Sequence, residues 1–236
     1  MGFQAVGANV SRSNHLVSLD LADYGQKRTT VRLDNLVLAA GPWTPALFQM
    51  LFPASSIDLE PVTDASDWIV FENPKPMSAK TIGAVYLDDI VGEKLEFAGR
   101  NDHTIWATGK RSHAGVVPTV GRTPEVDQAS LDELHADAEV FLKHGQGEDR
   151  ELHVLSQGRS YRPTTQTGMP IIAGVPADRL SVNSSIWPLE TTKKSVYVNF
   201  GHGSHGILLG MGSGKLMSQI IRGEKTDINV SKMGFS

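Results

Sequence analysis

Residues 196–222, VYVNFGHGSHGILLGMGSGKLMSQIIR, decide the reading of this chain. β-Branched and aromatic residues come first, then a loop punctuated by Gly201, Gly203, Gly206, Gly210 and Gly212, then an apolar stripe at helical spacing. The order predicts a strand, a loop and a helix beginning near Gly212. Glycine lets backbone come close to a ligand and adopt positive φ, and a following helix aims free N–H groups and partial positive charge into the loop. An anionic or electron-rich guest suits such a cradle.

Gly201, Gly203 and Gly206 satisfy the letter of G-x-G-x-x-G after a strand. In that fingerprint the helix starts within the glycines, whereas Ile207, Leu208 and Leu209 intervene before a helix near Gly212, and no second strand with an acidic residue follows. A Walker A loop fails as well: Leu209 stands at the first glycine and Leu216 where Ser or Thr binds magnesium. His202 and His205 have no nearby Cys or carboxylate to complete a metal set, so a loop that positions imidazoles is the simpler reading and no metal site is expected.

The remaining chain has the composition of a globular protein: 236 residues, 40% hydrophobic and 20% charged, enough for one large domain or two small ones. A net charge of -4 and a pI near 6.0 give no electrostatic support to a nucleic-acid partner. The absence of cysteine excludes disulfides, thiolate catalysis and zinc-thiolate sites, and suits a reducing compartment. With no apolar run near the ~18 residues of a span and no signal-peptide pattern, the expected setting is intracellular and cytoplasmic, with no membrane partner.

Along the chain, His15–Leu21 and Thr29–Leu33 read as a hairpin, and Asn35–Ala40 as a strand buried on both faces. Pro53–Ser66 reads as a crossover. Strands are expected at Asp67–Phe71, Ile82–Leu87, Lys94–Phe97, Thr104–Thr108, Glu151–Ser156, Pro170–Ala173, Leu180–Val182 and Val196–Phe200, mostly antiparallel. A helix is signalled over Asp127–His144, with a capping box at Ser130 and Glu133, a stripe of Leu131, Leu134, Ala138, Phe141 and Leu142, and Gly145 as its stop.

Three blocks in order, NLVLAAGPWTPALF (35–48), GRSYRPTTQTGMPIIAG (158–174) and VYVNFGHGSHGILLGMGSGKLMSQIIRG (196–223), resemble the FAD-dependent superfamily of D-amino-acid oxidase, glycine oxidase and sarcosine oxidase. KLEFAGRNDHTIWATGK (94–110) is similar to a strand-turn-strand of fungal members. The resemblance implies an α/β and α+β architecture: a remnant of an FAD-binding Rossmann-like domain from 1–52 and 185–236, beside a mostly antiparallel substrate-binding sheet domain with one long helix from 53–184. It places Ala39, Ala40 and Gly41 against FAD, wraps the flavin ring with Gly201, Gly203, Gly206 and Ile207, and points the helix from Gly212 at the ring.

By the same resemblance Arg162, before Pro163, clamps a substrate carboxylate, for which a guanidinium fork is suited; a structural ion pair is the alternative. Tyr161 is a pocket wall or a half-buried strand residue, and Trp43 is assigned to the core. Gln166, Thr167 and Gly168 stand where the family often has Asp. Nothing before Asn35 matches the family's βαβ unit that holds the FAD pyrophosphate and ribose, so binding of the whole cofactor by this chain alone is in doubt. The implied activity is oxidation of a small amine or amino acid, carboxylate-bearing in the family's manner, by hydride transfer to flavin. Two alternatives stay open: a relative without FAD that isomerises or cyclises a metabolite using His202, His205 and Tyr161 as acid/base groups, and a non-catalytic partner subunit. A vacated groove is expected to be covered by self-association or a partner chain.

Overall fold

The computed structural model describes residues 3–10, 17–23, 25–60, 62–73, 83–88, 93–120, 122–143, 151–180 and 196–235. In chain order they form β1 (Phe3–Val10), β2 (Val17–Asp23), β3 (Arg28–Leu33), β4 (Leu36–Leu38), α1 (Thr44–Leu51), β5 (Ala65–Glu72), β6 (Gly83–Asp88), β7 (Lys94–Gly99) and β8 (Thr104–Gly109). There follow α2 (Gln128–Lys143), β9 (Val154–Tyr161), β10 (Ile171–Gly174), β11 (Val196–Phe200) and α3 (Gly206–Arg222). The chain divides into two units, Met1–Val62 with Arg162–Ser236, and Thr63–Tyr161.

The first unit carries two small sheets. β2 and β3 form the hairpin expected from the sequence, in register from Val17 opposite Leu33 to Ala22 opposite Arg28. Its turn is closed by the Asp23 side chain, which accepts a bond from the Lys27 amide at 2.9 Å. β1, which the sequence reading leaves out, adds antiparallel to β2 with a register shift between Ala5 and Gly7; a glycine at a bulge is what breaks its two-residue period.

The second sheet has the order β10-β11-β4, with β11 antiparallel to β10 and parallel to β4. β4 is buried on one face only: Leu36 and Leu38 are covered while Val37 is 38% exposed, against the expectation of a strand covered on both sides. α3 buries Leu216 and Met217 against Ile172 and Tyr197. It stops at Gly223, whose φ of 67° lets its amide and that of Glu224 return to the Ile220 and Gln219 carbonyls. The segment beyond runs back along the sheet, where the Ile172 amide donates to the Met233 carbonyl at 2.9 Å.

In the second unit β6-β7-β8-β5-β9 make one antiparallel sheet, with strands where the sequence expects them except that β9 starts later, at Val154. Strand alternation turns Ile69 and Phe71 to one face, where Leu131, Leu134 and Ala138 of α2 cover them together with Leu95, Phe97 and Ala107. Lys110 ties α2 down through Asp137 at 3.2 Å and Glu133 at 3.6 Å. The expected capping box is not the device that starts α2. Asp127 is: its Oδ1 accepts from the amides of Ala129 at 3.1 Å and Ser130 at 3.4 Å. Phe141, placed in the stripe by period, is 46% exposed at the end of α2, and Gly145 lies outside the described residues.

Unit boundaries fall at Val62 and Tyr161, whereas the sequence reading puts them at 52 and 184. Pairing explains the difference, since β10 hydrogen-bonds to β11 and so belongs with the first unit. The expected crossover is likewise tied to that unit: Ser55 Oγ and the Ser56 amide both donate to the Arg179 carbonyl, at 2.7 and 2.9 Å. Leu180 is buried there, and the rest of the strand expected at 180–182 lies outside the described residues.

Candidate functional site

β4 and β11 run in the same direction, with Leu36 opposite Val196 and Leu38 opposite Val198. The turns that leave them therefore emerge at one end of the sheet, the C-terminal end, where open α/β sheets hold ligands. From β4 the chain passes Ala39 and Ala40, turns at Gly41 with φ +56°, and makes a short 3-10 turn, Gly41–Trp43, into α1. Trp43, expected in the core, is only partly buried. From β11 it turns at Gly201 with φ +88° and makes a 3-10 turn, Gly203–His205, into α3.

α3 begins at Gly206, six residues earlier in number than the expected Gly212 (212 against 206). Ile207, Leu208 and Leu209 are thus its first turn and Gly212 an exposed position in its second. The helix does begin within the glycines, so that objection to a dinucleotide fingerprint falls. The other stands: among the described residues the only parallel strand pair is β4 with β11, and the segment after α3 returns to β10 without forming a further parallel strand. No side chain caps α3 at His205, which leaves its first amides for a ligand or water. Ile207 and Met211 beside them are 100% and 91% exposed.

The segment after Arg162 lies on this loop. The Gly203 amide donates to the Pro163 carbonyl at 2.7 Å, and a Cβ on Gly201 would meet Thr165 Cγ2 at 2.5 Å. Arg162 itself is partly buried and makes an interaction within the protein. It does not line the cavity of about 630 Å³ nearby, which is walled by Glu60, Thr164, Thr165, Gln166, Phe200 and Phe235. The segment standing in place of the family's Asp closes on itself: the Gly168 amide donates to the Thr165 carbonyl at 3.0 Å and the Gln166 carboxamide bonds to Glu60.

His202 Nε2 lies 2.7 Å from the Oγ of Ser213, a buried residue one face of α3 turns inward with Leu216 and Met217. Burial pushes the imidazole pKa below its ordinary value, so the ring is held neutral and oriented. Ser213 is a site residue the sequence reading missed. The signal was available: a serine occupies a buried position of the apolar stripe and needs a partner there. His205, the second imidazole, is exposed, and its backbone amide donates to the His202 carbonyl at 3.1 Å.

Tyr161 belongs to the other unit. Its register partner is Ala65, as that of Arg159 is Asp67, so Tyr161 and Arg159 share the face of β9 that turns toward α2. The Tyr161 hydroxyl donates to the Val116 carbonyl at 2.7 Å, and burial raises its pKa. His202 and His205 are linked through the backbone of one turn, and Tyr161 has a separate engagement. Among the described residues no group of three His, Cys, Asp or Glu side chains is placed to hold a metal, and no helix is long and apolar enough to cross a membrane.

The family model described as FAD dependent oxidoreductase matches residues 2–220. A D-amino acid dehydrogenase of Vibrio vulnificus strain YJ016 is 27% identical over 225 residues, covering 92% of this chain and 42% of its own. Among solved structures, glycine oxidase from Geobacillus kaustophilus superposes with a TM-score of 0.66 at 15% identity, over 99% of this chain and 52% of that one. Iminodiacetate oxidase from Chelativorans sp. BNC1 gives a TM-score of 0.62 at 11% identity, over 97% of this chain and 52% of that one. The structural likenesses carry the fold, mixed α/β with mostly antiparallel sheets. The chain spans 42% of the dehydrogenase and about half of each oxidase.

Proposed function

Because the chain belongs to the FAD dependent oxidoreductase family, we propose that it supplies the ring-facing and substrate-facing parts of a flavin-dependent oxidoreductase acting on an amine or amino acid. The observation that carries this reading is the parallel pairing of β4 with β11, which sets the Gly41 and Gly201 turns at one end of a sheet. Three features fit the flavin ring: backbone at positive φ at both turns, an α3 N-terminus without a side-chain cap, and open space where Cβ atoms would stand at Gly41, Gly210 and Gly212. In this proposal Ala39, Ala40, Gly41, Gly201, Gly203, Gly206 and Ile207 hold the ring, with Gly212 one turn further along α3. The α3 dipole favours negative charge on the ring edge it faces.

When bound, flavin supplies the acceptor for a hydride from the substrate C–H next to nitrogen. Arg162 binds the substrate carboxylate through its planar fork. His202, kept neutral and fixed on Ser213, accepts a proton from the substrate ammonium, and His205 borders the same loop.

In this proposal the named residues hold the ring end of the cofactor, so it expects riboflavin and FAD to bind residues 1–236 with dissociation constants within about tenfold of each other. Titration of each flavin, followed by the shift of its visible absorbance, measures this. Gly41→Val should weaken both. Binding of neither flavin would overturn the ring-facing role, and FAD binding about a thousandfold tighter than riboflavin would show a hold on the adenosine end that the proposal denies. Arg162→Lys should weaken binding of a simple carboxylate in the flavin-loaded protein, because the fork is lost.

A further inference from the structure

The second unit holds a groove that the flavin reading does not use. It lies on the α2 side of the sheet, between the connection from Ala114 to Gln128 and the end of β9, and measures about 1100 Å³. Its floor is charged and fixed. Arg159, with a side chain only 10% exposed, donates from Nη1 to Asp67 Oδ2 at 3.3 Å, and Asp67 is 2% exposed. Asp67 Oδ1 also accepts the Asp127 amide at 3.4 Å, which joins the floor to the start of α2. An arginine has five N–H donors. Asp67 takes one of them, and the guanidinium lines the groove.

The wall is shaped for close approach. A Cβ on Gly115 would meet Ala65 Cβ at 2.7 Å and the Thr63 carbonyl at 3.0 Å, so glycine lets the connection lie down beside β5. Tyr161 stands next to it with its hydroxyl hydrogen on Val116, which leaves the oxygen able to accept.

The groove also holds one exposed cation and one exposed anion. Arg122 and Glu125 are both exposed, both line the groove, and neither enters a salt bridge with another described side chain. Asp127 gives its Oδ1 to the α2 amides, and Gln128 bonds to Asp132. The lining thus holds the exposed guanidinium of Arg122, the buried one of Arg159, and the carboxylates of Glu125 and Asp127. A simple anion would meet Glu125 and a simple cation would meet Arg122. We infer that this groove binds a small zwitterion, of the chemical class of a free amino acid, with its carboxylate on Arg122 and Arg159 and its ammonium on Glu125. The inference concerns the second unit alone and does not rest on the flavin proposal.

Isothermal titration of the full chain with alanine, acetate and methylammonium tests it. Alanine should bind saturably, and acetate and methylammonium at least about tenfold more weakly, since each satisfies one charge and opposes the other. Arg122→Gln and Glu125→Gln, both exposed and so not needed for folding, should each weaken alanine by about tenfold, while Arg162→Ala leaves this binding in place. No saturable alanine binding, or alanine binding unchanged in the Arg122→Gln/Glu125→Gln double variant, overturns the inference. Binding lost in Arg162→Ala alone would assign alanine to the first unit and overturn it equally.

Discussion

Leu38 and Val198 face each other across a parallel rung, and Gly41 and Gly201 each follow that rung at the same distance along the chain (38 to 41, 198 to 201). Residues far apart in sequence are brought to one edge by three backbone registers, and both turns take positive φ there. Parallel pairing at the carboxyl end of strands leaves a crevice that strand side chains do not fill. What occupies it is decided by the turns and by α3, whose uncapped start opens beside Gly201.

Gly201 is the position where substitution has the clearest cost. At φ +88° an L-residue is strained by roughly 1–2 kcal/mol, and a Cβ would also press on Thr165 Cγ2 at 2.5 Å. Gly201→Ala should lower unfolding free energy by about 2–3 kcal/mol, read by urea denaturation. Adding Thr165→Ser removes the methyl in the way, keeps the hydroxyl bond to the Met169 carbonyl, and should recover part of the loss. A Gly201→Ala protein as stable as the parent contradicts the geometry.

Asp127 and Ser130 separate two accounts of how α2 starts. The structure gives the capping bonds to Asp127, so Asp127→Ala should cost about 0.5–2 kcal/mol. Glu133→Ala tests the expected capping box, in which Glu133 returns to the amide of the cap; it should cost less than Asp127→Ala in the same denaturation series. The reverse ranking would restore the capping box.

The strands of the second unit were legible because each is a short β-branched or aromatic run between turn residues, and their pairing needs no long-range information beyond antiparallel order. β1 was hidden by Gly7 at its bulge. The start of α3 was hidden for a related reason: Gly206, Gly210, Gly212 and Gly214 each weaken a helix by about 1 kcal/mol relative to alanine, so local propensity says loop. Burial of Leu216 and Met217 against Ile172 and Tyr197 overrides it. Arg162 and Tyr161 looked like one site because they are neighbours in sequence. A strand sends successive side chains to opposite faces, and the Ala65 rung assigns Tyr161 to the side of α2. Arg159 and Asp67 were silent for lack of any local signal, since the pair is made across strands β5 and β9.

That buried pair gives a prediction with a sign. Burial raises the Asp67 pKa, opposed by Arg159 and by the Asp127 amide. The folded protein then binds a proton at higher pH than the unfolded chain does, so Asp67 opposes folding at neutral pH. The opposition eases as pH falls through the folded pKa and is gone below the unfolded one. Stability of the parent relative to Asp67→Asn should therefore rise on acidification through that window, in denaturation curves taken at several pH values. Arg159→Met leaves Asp67 buried without its cation and should cost about 3–5 kcal/mol at neutral pH, more than Asp67→Asn. Equal stability of Arg159→Met and the parent at neutral pH would refute the pairing.

His202 carries the opposite sign. Its pKa is lowered by burial, so between its folded pKa and the ordinary imidazole value near ~6.5 the unfolded chain binds more protons than the folded protein. The stability His202 contributes is present above the ordinary value and is lost as pH falls toward the folded pKa. His202→Gln should flatten that part of the stability profile. The ring protons, followed by NMR, should titrate below the ordinary midpoint. Ser213→Ala removes the hydroxyl 2.7 Å from Nε2 and, with it, the hydrogen bond that orients the ring. A midpoint at or above the ordinary value in the parent, or an acid slope unchanged by His202→Gln, would mean that the imidazole is not held neutral and that its proposed role as proton acceptor fails.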